Sequence, residues 1–172
     1  PVWVNHGGVL GGAGQFVRAA KGIFCFWISS GRRRRPLNYI GFRGQGFQPR
    51  DCLQPRDLVP LRRQQWSEPV DSSKPRLVNV SGGANNSISL AQLSRWCEQR
   101  LGPHQVGVDL TPRPFDAPWM VPDSARARQA GGWKAATSAD ATVDGIARHA
   151  GGHGTGLGAD AHWRPSPLRR RP

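Results

Sequence analysis

The stretch GFQPRDCLQPRDL, residues 46–58, carries the tripeptide Pro-Arg-Asp twice, at 49–51 and at 55–57. The first copy reads as a loop running into a return strand. Successive side chains of a strand point to opposite faces, so an Arg50 that faces a cleft leaves Asp51 on the other side. Guanidinium is a planar fork that grips a phosphate with two hydrogen bonds. A carboxylate pointing the other way can fasten a neighbouring loop by accepting backbone N–H bonds. The second copy opens the helix-like segment PRDLVPLRRQQW, with Asp57 as N-cap and Pro60 in the first turn.

Upstream, PVWV is a short apolar strand, with Val2–Val4 expected to be buried, and GGVLGGAGQF a loop. KGIFCFWISSG places Ile23, Phe24, Trp27 and Ile28 at helical spacing, with Gly31 as its stop. The basic turn GRRRRP leads into a strand from Leu37 to Phe42. Downstream, WSEPVDSSKP at 66–75 is a polar linker, and RLVNVSG is a strand with Leu77–Val80 expected to be fully buried. SLAQLSRWCEQRLGP is the strongest helix signal. Ser89 and Gln92 fit a capping box, Leu90, Leu93, Cys97 and Leu101 share one face, and Gly102-Pro103 ends it. VGVDL is a strand, DSARARQAG a helix from Asp123, and SADATVDGIARHA a last helix capped by Ser138. Residues 151–172, rich in Gly, Pro and Arg, have no period and read as a disordered tail. Alternating strands and helices make the class α/β. Two buried strands are too few for a self-contained doubly wound sheet.

The 172 residues allow one ordinary domain, and 22 Gly, 15 Pro and 37% hydrophobic residues point to a modest core. No apolar run is long enough to span a bilayer. The net charge of +13 is uneven: residues 1–67 hold 11 Lys/Arg against 2 acids, residues 68–149 hold 9 against 8. That asymmetry suggests a polyanion or phosphate partner for the first half. Cys25, Cys52 and Cys97 form no CxxC pair, so they read as ordinary buried or half-buried thiols of a cytoplasmic protein.

Three chemical signals fail on context. GTGLGA at 154–159 has a dinucleotide-loop spacing but neither a strand before it nor a helix after it. His149 and His153 stand four apart, but Ala150-Gly151-Gly152 between them would break a helix, and no third metal ligand follows. Arg32–Arg35 would suit nucleic acid, yet no aromatic residues interleave with them. A basic nucleic-acid-binding module using Arg32–Arg35 and the tail is therefore the second reading.

The first reading comes from an ordered set of motifs: GQGFQPRDCLQPRDL, then RLVNVSGGANNSISLAQL, then TPRPFDAPWMVPDSARARQAGGWKAATSADATVDGI. Together these resemble the C-terminal portion of the extended short-chain dehydrogenase/reductase family, in particular NAD-dependent nucleotide-sugar epimerases of the CDP-paratose/tyvelose 2-epimerase kind. The resemblance implies a partial Rossmann-type fold, the last strands of its parallel sheet, interleaved over residues 1–150 with a small substrate-binding lobe. It implies that Arg50 and Arg113 contact the phosphates or ribose of a nucleotide-diphosphate sugar. Asp116 would hold a ribose hydroxyl or Arg113, while Gln48 and the strand end near Phe42 would line the pocket. In that family NAD takes and returns a hydride and a Tyr-x-x-x-Lys pair moves the proton. Neither a glycine-rich NAD loop nor that pair occurs here: Tyr39, the only tyrosine, is followed four residues on by Arg43. His6, Ala13, Arg43 and Gln54 also depart from the family's usual residues. The expectation is a truncated nucleotide-sugar-binding portion, inactive alone and binding no NAD alone, completed by a missing N-terminal half or a homodimer partner.

Overall fold

Residues 3–6, 22–69, 71–112 and 117–152 are described by the computed structural model. Three helices build the first core. Helix α1 (Ile23–Arg32), α3 (Leu90–Leu101) and α5 (Ala139–Gly152) bring together Phe24, Trp27, Ile28, Leu93, Val143 and Ile146, none more than 2% exposed. The capping box of α3 is formed as expected: Gln92 N–H donates to Ser89 Oγ at 3.2 Å, and Ser89 N–H donates to Gln92 Oε1 at 2.9 Å. Gly102, at φ 83°, ends the helix and donates to the Glu98 carbonyl. On the apolar face of α3 Leu93 and Cys97 are buried, Leu90 and Leu101 are half-buried, and Trp96 joins them.

Gly31 does not stop α1. It lies inside the helix, buried, with α3 so close that a Cβ would sit 3.9 Å from both Cys97 and Leu101. The helix ends at Arg32 in a Schellman turn: Arg34 takes the left-handed conformation at φ 54°, its N–H donates to the Gly31 carbonyl, and Arg35 N–H donates to the Ser30 carbonyl. Helix α5 likewise runs through Gly151 rather than breaking at 150–152. Glycine costs only about 1 kcal/mol in a helix, and here the Arg32 guanidinium occupies the space a Cβ would approach, 3.1 Å away. His149 is therefore helical, while His153, GTGLGA and the rest of the expected tail lie outside the described residues.

The second core is smaller: Leu53, Leu61, Val78, Val80, Ala127 and Trp133. It sits between α2 (Leu58–Ser67), α4 (Ala125–Gly131) and a two-stranded parallel sheet of β1 (Trp3–His6) and β4 (Leu77–Val80), in register Trp3↔Leu77 to His6↔Val80. The expectation that Leu77–Val80 is buried throughout is corrected. Val78 and Val80 are buried, but Leu77 is 54% exposed, because only one face of this strand is covered. In β1, Val4 is half-buried, and Val2 lies outside the described residues.

Two further pairs complete the α/β architecture. Strand β2 (Leu37–Ile40) runs parallel to β6 (Val106–Asp109), and β3 (Pro49–Asp51) runs antiparallel to β5 (Ser87–Ser89). The strand expected to reach Phe42 stops at Ile40. Gly41 N–H donates to the Asp109 carbonyl, and the chain then turns through Phe42 (φ 42°) and Arg43 (φ 60°). Left-handed backbone costs a non-glycine residue roughly 1–2 kcal/mol. The turn is followed by close packing: Gly44 lies against Val108 and Gly46 against the Tyr39 ring, so tightly that neither has room for a Cβ. Tyr39 in turn stacks on Trp27 at 5.5 Å, and both rings donate to Ser94 Oγ.

Candidate functional site

Strand β3 carries the first Pro-Arg-Asp. Its backbone pairs with β5 on one side and bridges to Met120 on the other: Asp51 N–H donates to the Met120 carbonyl at 3.0 Å, and Met120 N–H to the Pro49 carbonyl at 3.3 Å. Alternation then separates the two charged side chains as expected. Asp51 is 1% exposed, and its Oδ1 accepts from Gly82 N–H at 2.8 Å, fastening the turn after β4. Burial pushes the Asp51 carboxyl above its ordinary range, and the Gly82 N–H and the Ser81 hydroxyl offset part of that rise. Oδ2 is buried without a hydrogen bond among the described residues.

Arg50 points the other way and is half-buried. Its Nη1 donates to the Pro49 carbonyl at 3.1 Å and to the Ala117 carbonyl at 3.0 Å. Ala117 follows Asp116 directly in the chain. Arg113 and Asp116 themselves fall within 113–116, outside the described residues. Gln48, two residues before Arg50, is 8% exposed and donates from Nε2 to the Ile40 carbonyl at 3.5 Å. This ties the end of β2 to the start of β3. Phe42 stands in the turn just past that strand end, 43% exposed. Gln48 thus reaches the strand end two residues before Phe42, while Arg50 reaches across to Ala117. Sequence reasoning missed Met120, which shares the bridge that fixes Arg50, and Ser81-Gly82, which hold Asp51. For the latter pair the glycines closing NVSGG were the available signal.

The arginine run divides by role. Arg34 donates to three carbonyls at the end of α3: Leu101 at 2.7 Å, Pro103 at 2.6 Å and Gly102 at 3.4 Å. It caps a helix C-terminus, where orphan carbonyls and the helix dipole both favour a cation. Arg32 lies against Gly151 at the end of α5. The three cysteines are buried thiols, with Cys52 pushed up to about 12 and Cys97 to about 11 by burial. Among the described residues there is no cluster of three metal-ligating side chains and no helix long and apolar enough to cross a membrane. A cavity of about 250 Å³ opens between α2, the linker and α4, and none of the expected site residues lines it.

No protein-family model and no curated protein matches the sequence. Solved structures do match. UDP-glucose 4-epimerase from Thermotoga maritima, solved with UDP-glucose, is 16% identical with a TM-score of 0.68, covering 85% of this chain and 44% of that one. UDP-glucuronic acid 4-epimerase from Bacillus cereus, in complex with UDP-glucuronic acid and NAD, is 15% identical with a TM-score of 0.69, covering 88% and 45%. The enzyme WbmG from Bordetella bronchiseptica, in complex with NAD, is 18% identical with a TM-score of 0.65, covering 88% and 44%. The chain spans less than half the length of these structures, and at such identities the likeness is one of fold: this chain has the α/β fold of part of an NAD-dependent nucleotide-sugar epimerase.

Proposed function

We propose that the chain is the nucleotide-sugar-binding portion of an NAD-dependent nucleotide-sugar epimerase or dehydratase of the cytoplasm, and that it turns over no substrate alone. The observation that carries this reading is the placement of Arg50. Its strand is pinned on both edges, its neighbour Asp51 is fastened inward, and its guanidinium reaches the residue that follows Asp116. Two guanidinium groups, Arg50 and Arg113, would neutralise a diphosphate and orient it through paired hydrogen bonds. Asp116 would accept from a ribose hydroxyl. Gln48 and Phe42 would wall the pocket at the end of β2. In the neighbours that hold it, NAD would supply the hydride acceptor. The sequence of this chain does not fit that role: its dinucleotide-loop spacing, GTGLGA at 154–159, follows helix α5 rather than a strand. The hydride acceptor and the proton-moving pair would come from a further stretch of chain or a partner subunit.

The test is a titration with UDP-glucose and CDP-glucose, followed by backbone amide shifts of Gln48, Arg50 and Ala117. Saturable shifts at these positions are expected, weakened at least about tenfold by Arg50→Ala, the scale of one lost charge-assisted bond. Absence of shifts with either sugar nucleotide, or equal affinity in Arg50→Ala, overturns the reading.

A further inference from the structure

The cavity between α2, the linker and α4 lies apart from the corner holding Arg50. Its floor is one edge of the second core, the largely buried Leu61, Val78 and Ala127. Its far wall is made of small residues, Ala130 and Gly131 of α4. The near wall is the linker, held in shape by its own polar groups. Lys74 Nζ donates to Glu68 Oε2 at 2.7 Å, Gln64 Nε2 to Glu68 Oε1 at 2.8 Å, and both the hydroxyl and the N–H of Ser73 donate to Asp71 Oδ1.

These bonds decide what the rim can still offer. Both oxygens of Glu68 are occupied. Lys74 and Gln64 hold its carboxyl below the usual range, and Ser73 does the same for Asp71, so both acids stay ionised and engaged at neutral pH. Gln65 Oε1 already accepts from Arg62. The rim still offers the Gln65 amide N–H groups and one cation, Arg76, which makes no hydrogen bond or ion pair among the described residues. An apolar floor beneath a rim with an uncommitted guanidinium complements a small apolar body bearing one anionic head. A cavity of about 150 Å³ takes a benzene ring, so 250 Å³ accommodates a ring with a short acidic arm.

We propose that this cleft is a second ligand site, for a small aryl or branched-chain carboxylate whose apolar part rests on Leu61, Val78 and Ala127 and whose carboxylate pairs with Arg76. It is independent of the nucleotide-sugar reading.

The experiment titrates the full chain with phenylacetate and, separately, with its uncharged analogue phenylacetamide, following the backbone amides of Ala127, Ala130 and Gly131. Saturable shifts with phenylacetate are expected, at least about tenfold tighter than with the amide. Arg76→Gln leaves the cavity intact, and it should remove that preference. Ala130→Phe fills the cavity and should abolish binding of both. The proposal fails if phenylacetate moves none of these amides at millimolar concentration, or if Arg76→Gln binds it as tightly as the parent chain. Because Arg76 is exposed, that variant keeps the test decisive even if Ala130→Phe does not fold.

Discussion

Pro49-Arg50-Asp51 and Pro55-Arg56-Asp57 are the same tripeptide in two different structures. The first is a strand, held by β5 on one edge and Met120 on the other. The second is a single 3₁₀ turn leading into α2. Both aspartates act as fasteners, but at different depths. Asp51 is buried and accepts from Gly82 N–H, with the Ser81 hydroxyl beside it. Asp57 is half-buried and makes three bonds, accepting from Thr137 N–H at 2.9 Å, Thr137 hydroxyl at 2.8 Å and Ala136 N–H at 3.1 Å. The expected N-cap role of Asp57 is not what its side chain does: it makes no bond to α2 and instead spans 80 positions of sequence to the segment before α5. The arginines diverge as well. Arg50 is bound into the fold at Ala117, whereas Arg56 is exposed and makes no hydrogen bond among the described residues. Identical residues receive their roles from the strands and loops beside them.

The comparison can be broken most sharply at Asp57. Asp57→Ala removes three charge-assisted bonds and should cost roughly 2–4 kcal/mol in urea unfolding. It also loosens the contact in which Trp133 Nε1 donates to the Asp57 carbonyl at 2.8 Å, through movement of the turn. A loss below about 0.5 kcal/mol would mean that the cross-chain bonds are not maintained in solution.

The arginines come next. Arg50→Ala should weaken UDP-glucose binding by about tenfold or more, near 1.4 kcal/mol. Arg56→Ala should leave both binding and stability within about 0.5 kcal/mol of the parent. Equal effects from the two substitutions would erase the functional distinction between the copies.

A comparable effect is expected at the end of α3. Arg34→Ala leaves the last carbonyls uncapped and should cost about 1 kcal/mol, read as faster amide exchange at Leu101 and Gly102. Stronger loss of nucleic-acid retention than of helix protection would instead favour an anion-binding role for Arg32–Arg35.

The smallest effect is expected at Asp51. Its carboxyl titrates higher in the folded chain than in the unfolded one, because burial disfavours the charged form. Between the two values the folded state binds more protons, so stability falls as pH rises above the unfolded value, about 3.8, until the folded group has ionised. Asp51→Asn removes that titration. Its unfolding free energy should lie within about 1 kcal/mol of the parent at neutral pH and lack this descent. An unchanged pH profile would show that Asp51 is not the group responsible.

Local chemistry was legible where a signal and its target lie within a few residues. The Ser89–Gln92 capping box, the apolar face of α3, the stop at Gly102 and the inward turn of Asp51 against Arg50 all follow from spacing. So did the order of the three motif blocks, which anticipated the fold shared with the epimerases. Gly31 and Gly151 misled because a glycine read alone signals a stop, whereas here the close approach of α3 and the Arg32 side chain make it a contact surface inside a helix. The strand expected to reach Phe42 stops at Ile40, where its ladder with β6 ends at Asp109 and the chain turns from Gly41 to Gly44, which no local pattern reveals.

The sequence by itself determined that helices would form around α1, α3 and α5 and strands around β2, β4 and β6, because capping, apolar periodicity and alternation act over one or two turns of chain. Tertiary structure alone decided that Asp57 reaches Thr137, that Arg34 caps α3 and that Arg50 comes to rest against Ala117. Each of these bonds joins groups at least 67 positions apart. Their geometry is set by packing between elements rather than by the preferences of either residue.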